Sequence, residues 1–246
     1  MIQTPPDNPD PGLPRYEDMS PAELIDIIRA LEANRPRKHP TEAHLVREVH
    51  HRIKNNLQGV AGLLRQHANE HPAVSEIINQ AIAQVRTVAV IHGLQGKALD
   101  NEVVLCEMVP TIAHSVKSLL SRRVMLNVDV SVPQRIRVTE QETVPIALIL
   151  NELIMNSAKH ASSNGTPPQI TIRVRWDAQQ NQALISIVNP GILPDGFDFQ
   201  NAQSSGTGLE LVRSLLPPDG SILTIGTHGN EVTALLKLFA PSIYNL

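Results

Sequence analysis

The segment 49–58 carries the side chains best suited to chemistry in this chain of 246 residues. If Val49 and Ile53 face a helical core, His51 lies about 200° around the helix from Val49 and points towards solvent. Asn55 follows one turn later on the same face, within reach of a group attached to the imidazole. A neutral imidazole has a nitrogen lone pair and can accept a phosphoryl group, and the flanking basic side chains suit an incoming phosphate.

A second group of polar side chains occupies the segment 151–161. Glu152, Asn156 and Lys159 are spaced at i, i+4 and i+7, so they project from one face of a helix. A carboxylate, an amide and an ammonium on one face suit Mg²⁺ and a polyphosphate. Taken alone, these residues fit a solvated helix face equally well.

Other histidines offer weaker alternatives. Adjacent histidines on a helix are usually part of a solvated face, and the chain has ten histidines in total. His67 and His71 have the i, i+4 spacing of metal ligands. We expect Glu70 to lie on another face and a turn to interrupt the motif, which disfavours a metal site there.

The elements that must position these groups fall into three predicted regions. Residues 1–40 begin with a proline-rich tail (1–19), which we expect to be disordered because proline lacks the backbone amide donor. A short helix (20–34) is predicted to follow it. Residues 41–97 contain two long apolar stripes separated by a break near Pro72. Residues 98–246 form the third region.

The two stripes predict a helical hairpin. The first recurs at Val46, Val49, Ile53, Leu57, Val60 and Leu64, and the second at Val74, Ile78, Ala81, Val85, Val88 and His92. A hairpin alone leaves apolar surface uncovered, so we expect a homodimer that closes a four-helix bundle. The alternative is that the hairpin packs on the rest of its own chain.

The third region mixes helical and alternating patterns. It predicts helices near 106–120, 140–161 and 207–216, and strands at 124–131, 135–138, 169–176, 182–188, 221–226 and 231–239. Helices on one face of a mixed, largely antiparallel sheet make an α+β sandwich.

Composition excludes several classes of function. The chain has only six aromatic residues (one Trp, two Tyr, three Phe), too few for stacking on single-stranded nucleic acid. A net charge of −3 gives no broad field for DNA or an anionic membrane. One cysteine, Cys106, excludes a disulfide framework. Without a signal peptide or a membrane-length apolar run, we expect a cytoplasmic protein with no membrane insertion.

The stretch HHRIKNNLQ resembles the phosphoacceptor box of bacterial sensor histidine kinases, in the subgroup that reads His-Arg-hydrophobic-Lys-Asn. By that resemblance, His51 is the phosphorylated residue. His50 is the other candidate, but the residue four positions after it is Lys54, whereas Asn55 follows His51.

A second resemblance involves the C-terminal region. NELIMNSAKHA is similar to the asparagine box of the GHKL (Bergerat-type) nucleotide-binding fold, and GTGLELV to its second glycine box. The resemblance implies that Asn156 binds Mg²⁺, that Lys159 contacts phosphate and that Glu152 positions metal or water. It implies this nucleotide-binding set: Asn156, Lys159, His160, Asn189, Gly191, Gly206, Thr207, Gly208 and Leu209.

The first glycine box departs from the family pattern. The family has Asp-x-Gly, whose carboxylate accepts a hydrogen bond from the adenine amino group, and this chain has Asn189-Pro190-Gly191. An asparagine oxygen can still accept that bond, but without the charge, and charge-assisted bonds are roughly twice as strong. We expect Asn189 to act as a substitute.

The resemblance covers about residues 41–240 and implies a soluble histidine kinase that uses ATP and Mg²⁺. It would phosphorylate His51 and pass the phosphoryl group to an aspartate of a response regulator receiver domain. The three regions leave no room for a sensory domain, so we expect input from an upstream sensor protein or the N-terminal helix. The alternatives are a non-catalytic phosphotransfer adaptor with a degenerate nucleotide domain, and a GHKL-type binding protein such as an anti-sigma-like switch.

Overall fold

The structure is a computed structural model. The predicted N-terminal tail, the helix at 20–34 and Gly206 lie outside the described residues. The described ranges are 42–98, 102–120, 124–131, 136–163, 165–199 and 207–245.

The N-terminal part of the described chain is a helical hairpin. Helix α1 (Glu42–Glu70) and helix α2 (Ser75–Gln95) are joined by the 3₁₀ turn Pro72–Val74 and pack against each other. The face of α1 that meets α2 passes through His50 rather than through Val49. Val49 is 53% exposed, whereas His50 is only 9% exposed. A near-heptad stripe is wide enough to include two adjacent faces, and α2 covers the one that passes through His50.

Helix α2 is covered on two sides, because it packs on α1 and on helices of the C-terminal region. Ile82, Ala83 and Ile91 are almost fully buried, and Ile91 belongs to the main hydrophobic core. The alternative of packing on the same chain therefore applies to α2, while α1 keeps exposed apolar side chains.

The C-terminal region is built on a five-stranded sheet. Its strands are β2 (Met125–Ser131), β4 (Gln169–Asp177), β5 (Gln182–Pro190), β6 (Ser221–His228) and β7 (Glu231–Leu238), in the order β2-β4-β5-β7-β6. The β2–β4 pair is parallel, and the other pairs are antiparallel. The predicted mixed, largely antiparallel sheet is confirmed.

Three helices complete this region: α3 (Leu105–Leu119), α4 (Glu140–His160) and α5 (Thr207–Leu215). A small second sheet joins β1 (Val103–Val104), β3 (Ile136–Val138) and β8 (Ile243–Asn245) in the order β1-β3-β8. Strands β1 and β8 were not predicted, because two or three residues are too few to show an alternating pattern.

The main core lies between the sheet and the helices. Ile170 and Ile172 of β4 pack in one cluster with Ile149 of α4 and Ile112 of α3, all with no exposed surface. Burying an isoleucine side chain contributes roughly 1.5–3 kcal/mol, so this cluster holds α4 firmly on the sheet. The described helices include none with the length and apolarity needed to cross a bilayer.

Candidate functional site

His51 lies on the open side of α1. Its side chain is exposed, and the Asn55 amide nitrogen is 3.4 Å from its Nδ1. Arg52 Nε donates to Glu48 Oε1 at 2.8 Å, and this bond lowers the pKa of Glu48. The positive charge expected beside His51 is therefore partly engaged by Glu48. The Lys54 stem lies along α2, with its Cδ 3.3 Å from where a Cβ on Gly93 would be.

The neighbouring histidine is in a different environment. His50 Nδ1 lies 3.0 Å from His92 Nδ1 on α2, so one ring donates and the other accepts. Burial lowers the pKa of His92, and the adjacent His50 lowers it further. The two adjacent histidines therefore differ: His50 is paired within the hairpin, and His51 is accessible from solvent.

Glu152 is a buried carboxylate on α4, with an exposure of 2%. Gln84 Nε2 donates to its Oε1 at 3.1 Å, and Gln80 Nε2 donates to its Oε2 at 3.4 Å. Asn151 Nδ2 lies 3.4 Å from Oε1 as well. Amide donors from α2 thus satisfy a charge that would otherwise be costly to bury.

The second glycine box meets α4 at this carboxylate. A Cβ atom added to Gly208 would lie 2.8 Å from Glu152 Oε2, 3.6 Å from Gln80 Nε2 and 3.7 Å from Asn156 Nδ2. Because a real Cβ does not come within 2.8 Å of another atom, a side chain at position 208 would displace the Glu152 carboxylate from its present position. Glu152, Asn156 and Gly208 therefore converge.

Lys159 continues the same face of α4 towards its C-terminus. Its Nζ is 2.6 Å from Oε1 of Glu76 on α2, and the side chains are 62% and 81% exposed. The hydrogen bond from Lys159 lowers the pKa of Glu76. In this structure the lysine that the resemblance assigns to phosphate is paired with a carboxylate of α2.

The first glycine box folds over the C-terminal end of α4. The Ser162 backbone N–H donates to the Pro190 carbonyl at 2.8 Å. A Cβ on Gly191 would lie 3.4 Å from both the His160 carbonyl oxygen and Asn189 Nδ2. Asn189 is 3% exposed, and its Nδ2 donates to the Pro190 carbonyl at 3.1 Å. His160, Asn189 and Gly191 are thus brought together beside Lys159.

A cavity of about 750 Å³ is lined by this turn and by the loop that precedes β4. Gly191, Ile192, Ser162 and Asn230 are among its lining residues, whereas Glu152, Asn156 and Lys159 are not. The open space beside the first glycine box and the polar face of α4 are therefore separate features.

The remaining members of the predicted set are spread around this centre. Thr207 begins α5, and Leu209 is half-buried against the main core. His51 is not brought to the polar face of α4. Its neighbour His50 pairs with His92, whereas Glu152 is held by Gln80 and Gln84, about two to three turns nearer the N-terminus of α2.

Sequence reasoning missed the α2 residues that contact the site. Glu76, Gln80, Gln84 and Thr87 are spaced by 4, 4 and 3 residues and follow one face of α2. Thr87, which is buried, donates to Asn151 Oδ1 at 3.0 Å. A polar stripe within a helix that is otherwise apolar was the available sign, and it indicates a helix that faces polar partners.

One expectation about metal ligands is wrong. Glu70 was expected on a different face from His67 and His71, but the potential ligand atoms of the three residues all lie within 4.8 Å of one another. Glu70 is one turn from His67, and His71 stays over the end of α1 because its backbone N–H donates to the His67 carbonyl at 2.9 Å. All three side chains are exposed.

Comparisons with known proteins identify the family and the fold. Residues 48–120 match a family model described as histidine kinase. The sensor histidine kinase PdtaS of Mycobacterium tuberculosis is 30% identical over 186 residues, which are 72% of this chain and 36% of that protein. PdtaS of Mycolicibacterium smegmatis is 29% identical over 189 residues, with the same coverage. The chain thus spans about a third of the length of these curated relatives.

A solved structure shows the same fold. The histidine kinase domain of the Erythrobacter litoralis EL346 blue-light activated histidine kinase superimposes with a TM-score of 0.58. It is 16% identical in sequence, and the match covers 81% of this chain and 94% of that one. Because a curated histidine kinase is 30% identical to this chain over 72% of its length, the chain belongs to the histidine kinase family.

Proposed function

We propose that this chain is an ATP-dependent histidine kinase that phosphorylates His51 and passes the phosphoryl group to an aspartate of a response regulator. The observation that carries the proposal is the presence of two separate surfaces in one chain. One is the accessible His51–Asn55 pair on α1, and the other is the convergence of Glu152, Asn156 and Gly208 where α4 meets α5.

The acceptor chemistry depends on the two imidazole nitrogens. Asn55 contacts Nδ1 of His51, which leaves Nε2 as the nitrogen open to an incoming phosphate. In this structure the Asn55 amide nitrogen faces Nδ1, and with that orientation Nε2 holds the ring proton. For attack, the Asn55 amide turns its oxygen towards Nδ1, so that Nδ1 holds the proton and Nε2 carries the free lone pair. Nε2 then forms the bond to the γ-phosphorus as the bond between that phosphorus and the bridging oxygen of ADP breaks.

The donor chemistry is mainly positioning and charge. The start of α5 offers backbone N–H groups to phosphate oxygens, and Gly208 permits the close approach. Lys159 supplies a positive charge for the triphosphate. The oxygen atoms of Asn156 and Glu152 are of the type that Mg²⁺ prefers, and a bound Mg²⁺ would neutralise charge on the phosphates.

A homodimer completes the proposed kinase. The exposed apolar residues of α1 follow one stripe, formed by Leu45, Val49, Val60 and Leu63. His51 lies about 200° around the helix from Val49, so a partner bound to this stripe would leave the acceptor open. We expect a second copy of the hairpin to cover the stripe and close a four-helix bundle.

Incubation with γ-labelled ATP and Mg²⁺ tests the function. We expect label on the wild-type chain, none on His51→Gln, and retained label on His50→Gln, since His50 is paired with His92. Label that chases to a purified receiver domain would support the second transfer. A well-folded chain that takes no label would contradict the kinase, and label on His51→Gln would contradict the acceptor.

One observation favours the adaptor as a second candidate. The Asn189 amide replaces the family's aspartate, is almost fully buried, and donates to its own turn. A site without that carboxylate would hold adenine weakly. Calorimetry with ADP and Mg²⁺ separates the two candidates, since an adaptor with a degenerate domain gives no heat of binding.

A further inference from the structure

We propose that α2 occludes the polar face of α4 in a closed state, and that nucleotide binding and this α2–α4 contact are mutually exclusive. The α2–α4 contact is defined here by Glu76, Gln80 and Gln84 of α2 against Glu152 and Lys159 of α4. The inference rests on the proposed function, because it assigns that face to nucleotide.

The first argument is chemical. At Lys159, the Glu76 carboxylate oxygen lies 2.6 Å from Nζ and occupies the place that a phosphate oxygen would take. At Glu152, the amide groups of Gln80 and Gln84 donate to both carboxylate oxygens. Those lone pairs are the ones that a metal ion or an ordered water would use. Two of the three α4 residues assigned to the triphosphate and its metal, Glu152 and Lys159, are therefore engaged by α2.

The second argument is steric. Gln80 Nε2 lies 3.6 Å from the position of a Cβ on Gly208, and so it sits at the first turn of α5. The backbone N–H groups of that turn are the ones that would bind phosphate. A triphosphate at this helix start would displace the Gln80 side chain.

The third argument is the distance to the acceptor. His50 is level with His92, which is twelve residues after Gln80 on α2. At 1.5 Å per residue, the acceptor level is about 18 Å along the helix from Gln80, while phosphoryl transfer needs the reacting atoms about 3–3.5 Å apart. Within one chain, the closed state cannot bring nucleotide to His51. The α2–α4 contact must break before transfer.

The closed state is held mainly by its buried part. The Glu76–Lys159 pair is largely exposed, and such pairs contribute little to stability. Hydrogen bonds to the buried Glu152 carboxylate contribute more, because that charge has lost its water. When only the open fraction of molecules binds ligand, the apparent Kd rises in inverse proportion to that fraction. Weakening the buried bonds should therefore tighten nucleotide binding.

Gln84→Glu tests this at pH 8, because it sets a second carboxylate against Glu152. Asn79→Asp is the matched control, since it adds the same charge on an exposed position of the same helix. Calorimetry gives the Kd for ADP with Mg²⁺, and small-angle X-ray scattering gives the radius of gyration. We expect Gln84→Glu to lower the Kd about ten-fold and to increase the radius of gyration, with Asn79→Asp unchanged.

Three results would overturn the proposal. If Gln84→Glu expands the molecule while the Kd stays the same, α2 and nucleotide do not compete, and the kinase function still stands. If the molecule does not expand, the α2–α4 contact does not hold the two regions together. If no variant binds ADP, the proposed kinase function fails as well. Should Gln84→Glu not fold, Glu76→Lys repels Lys159 at an exposed position, and we expect about a two- to three-fold lower Kd.

Discussion

The proposed acceptor surface on α1 and the proposed donor surface on α4 differ in which parts of the chain hold them in place. His51 stands in solvent with Asn55 beside it, and nothing in their geometry depends on a distant part of the chain. Glu152 is buried, and its partners come from α2 and from α4 itself. The acceptor therefore needs only a helix, whereas the donor surface needs the packing of three helices. Substitutions in the two surfaces should therefore impair different properties, namely labelling alone for the acceptor surface, and nucleotide binding or stability for the donor surface.

The largest expected difference is between His51→Gln and Asn156→Ala. Asn156→Ala should lose both ADP binding and label, with label reduced at least about 100-fold, because positioning carries most of phosphoryl transfer. His51→Gln should lose label to the same extent but keep the wild-type Kd for ADP. Calorimetry beside the labelling assay measures both quantities. Equal loss of ADP binding in the two variants would contradict the proposal that the acceptor surface and the nucleotide-binding surface are separate.

Glycine-to-alanine changes compare the packing of the two surfaces. At Gly208, the new Cβ would meet Glu152 Oε2 at 2.8 Å and displace bonds to α2, so we expect a loss of about 1–3 kcal/mol. At Gly62 on α1 nothing lies within 4 Å, so we expect a gain of up to about 1 kcal/mol from helix propensity. Urea unfolding of both variants measures the free energies. A stabilising Gly208→Ala would show that α5 does not need its close approach.

Removal of the Thr87 hydroxyl probes the buried link between α2 and α4. Thr87→Val leaves Asn151 Oδ1 without this donor, and we expect a loss of about 1–2 kcal/mol. Thr111→Val is the control, because its hydroxyl bonds the Glu107 carbonyl in an exposed position, and we expect a change within about 0.5 kcal/mol. Equal losses would mean that the Thr87–Asn151 bond adds nothing beyond a local helix contact. Chemical denaturation of the two variants side by side gives the answer.

The smallest expected effect concerns pH and the hairpin. The pKa of His92 is lowered by burial and by His50, so the folded chain keeps His92 neutral where the unfolded chain already binds a proton. Stability should therefore fall as the pH drops through the ordinary histidine pKa of about 6.5, by less than about 1 kcal/mol. His50 faces the same ring and disfavours a further positive charge there. Urea midpoints at pH 7.5 and 5.5 should differ less in His92→Gln than in the wild type.

The sequence predicted what depends on spacing within one element. His51 and Asn55 are four residues apart on one helix, so their contact follows from helix geometry alone. The long helices and strands were found because their apolar patterns persist over many residues. The α2–α4 contact was not found, since Gln84 and Glu152 are 68 residues apart and meet only through tertiary packing.

The hairpin shows one feature that the sequence could not give and one that it could. A stripe of apolar residues does not say which of two adjacent helix faces meets the partner helix, so the contact through His50 was not predicted. The convergence of Glu70 with His67 and His71 does follow from their spacing, because residues at i, i+3 and i+4 lie on one face of a helix, and the expectation of another face was wrong.

The two-sided burial of α2 also sets how freely the hairpin can vary. Within one chain, most of α1 borders solvent, so a substitution there affects at most the contact with α2. On α2, residues near His92 must fit α1, and residues near Gln84 must fit α4. A change in the size or charge of side chains on α2 can therefore disturb the contacts with both α1 and α4. We therefore expect substitutions on α1 outside the proposed acceptor residues to be tolerated more often than substitutions on α2.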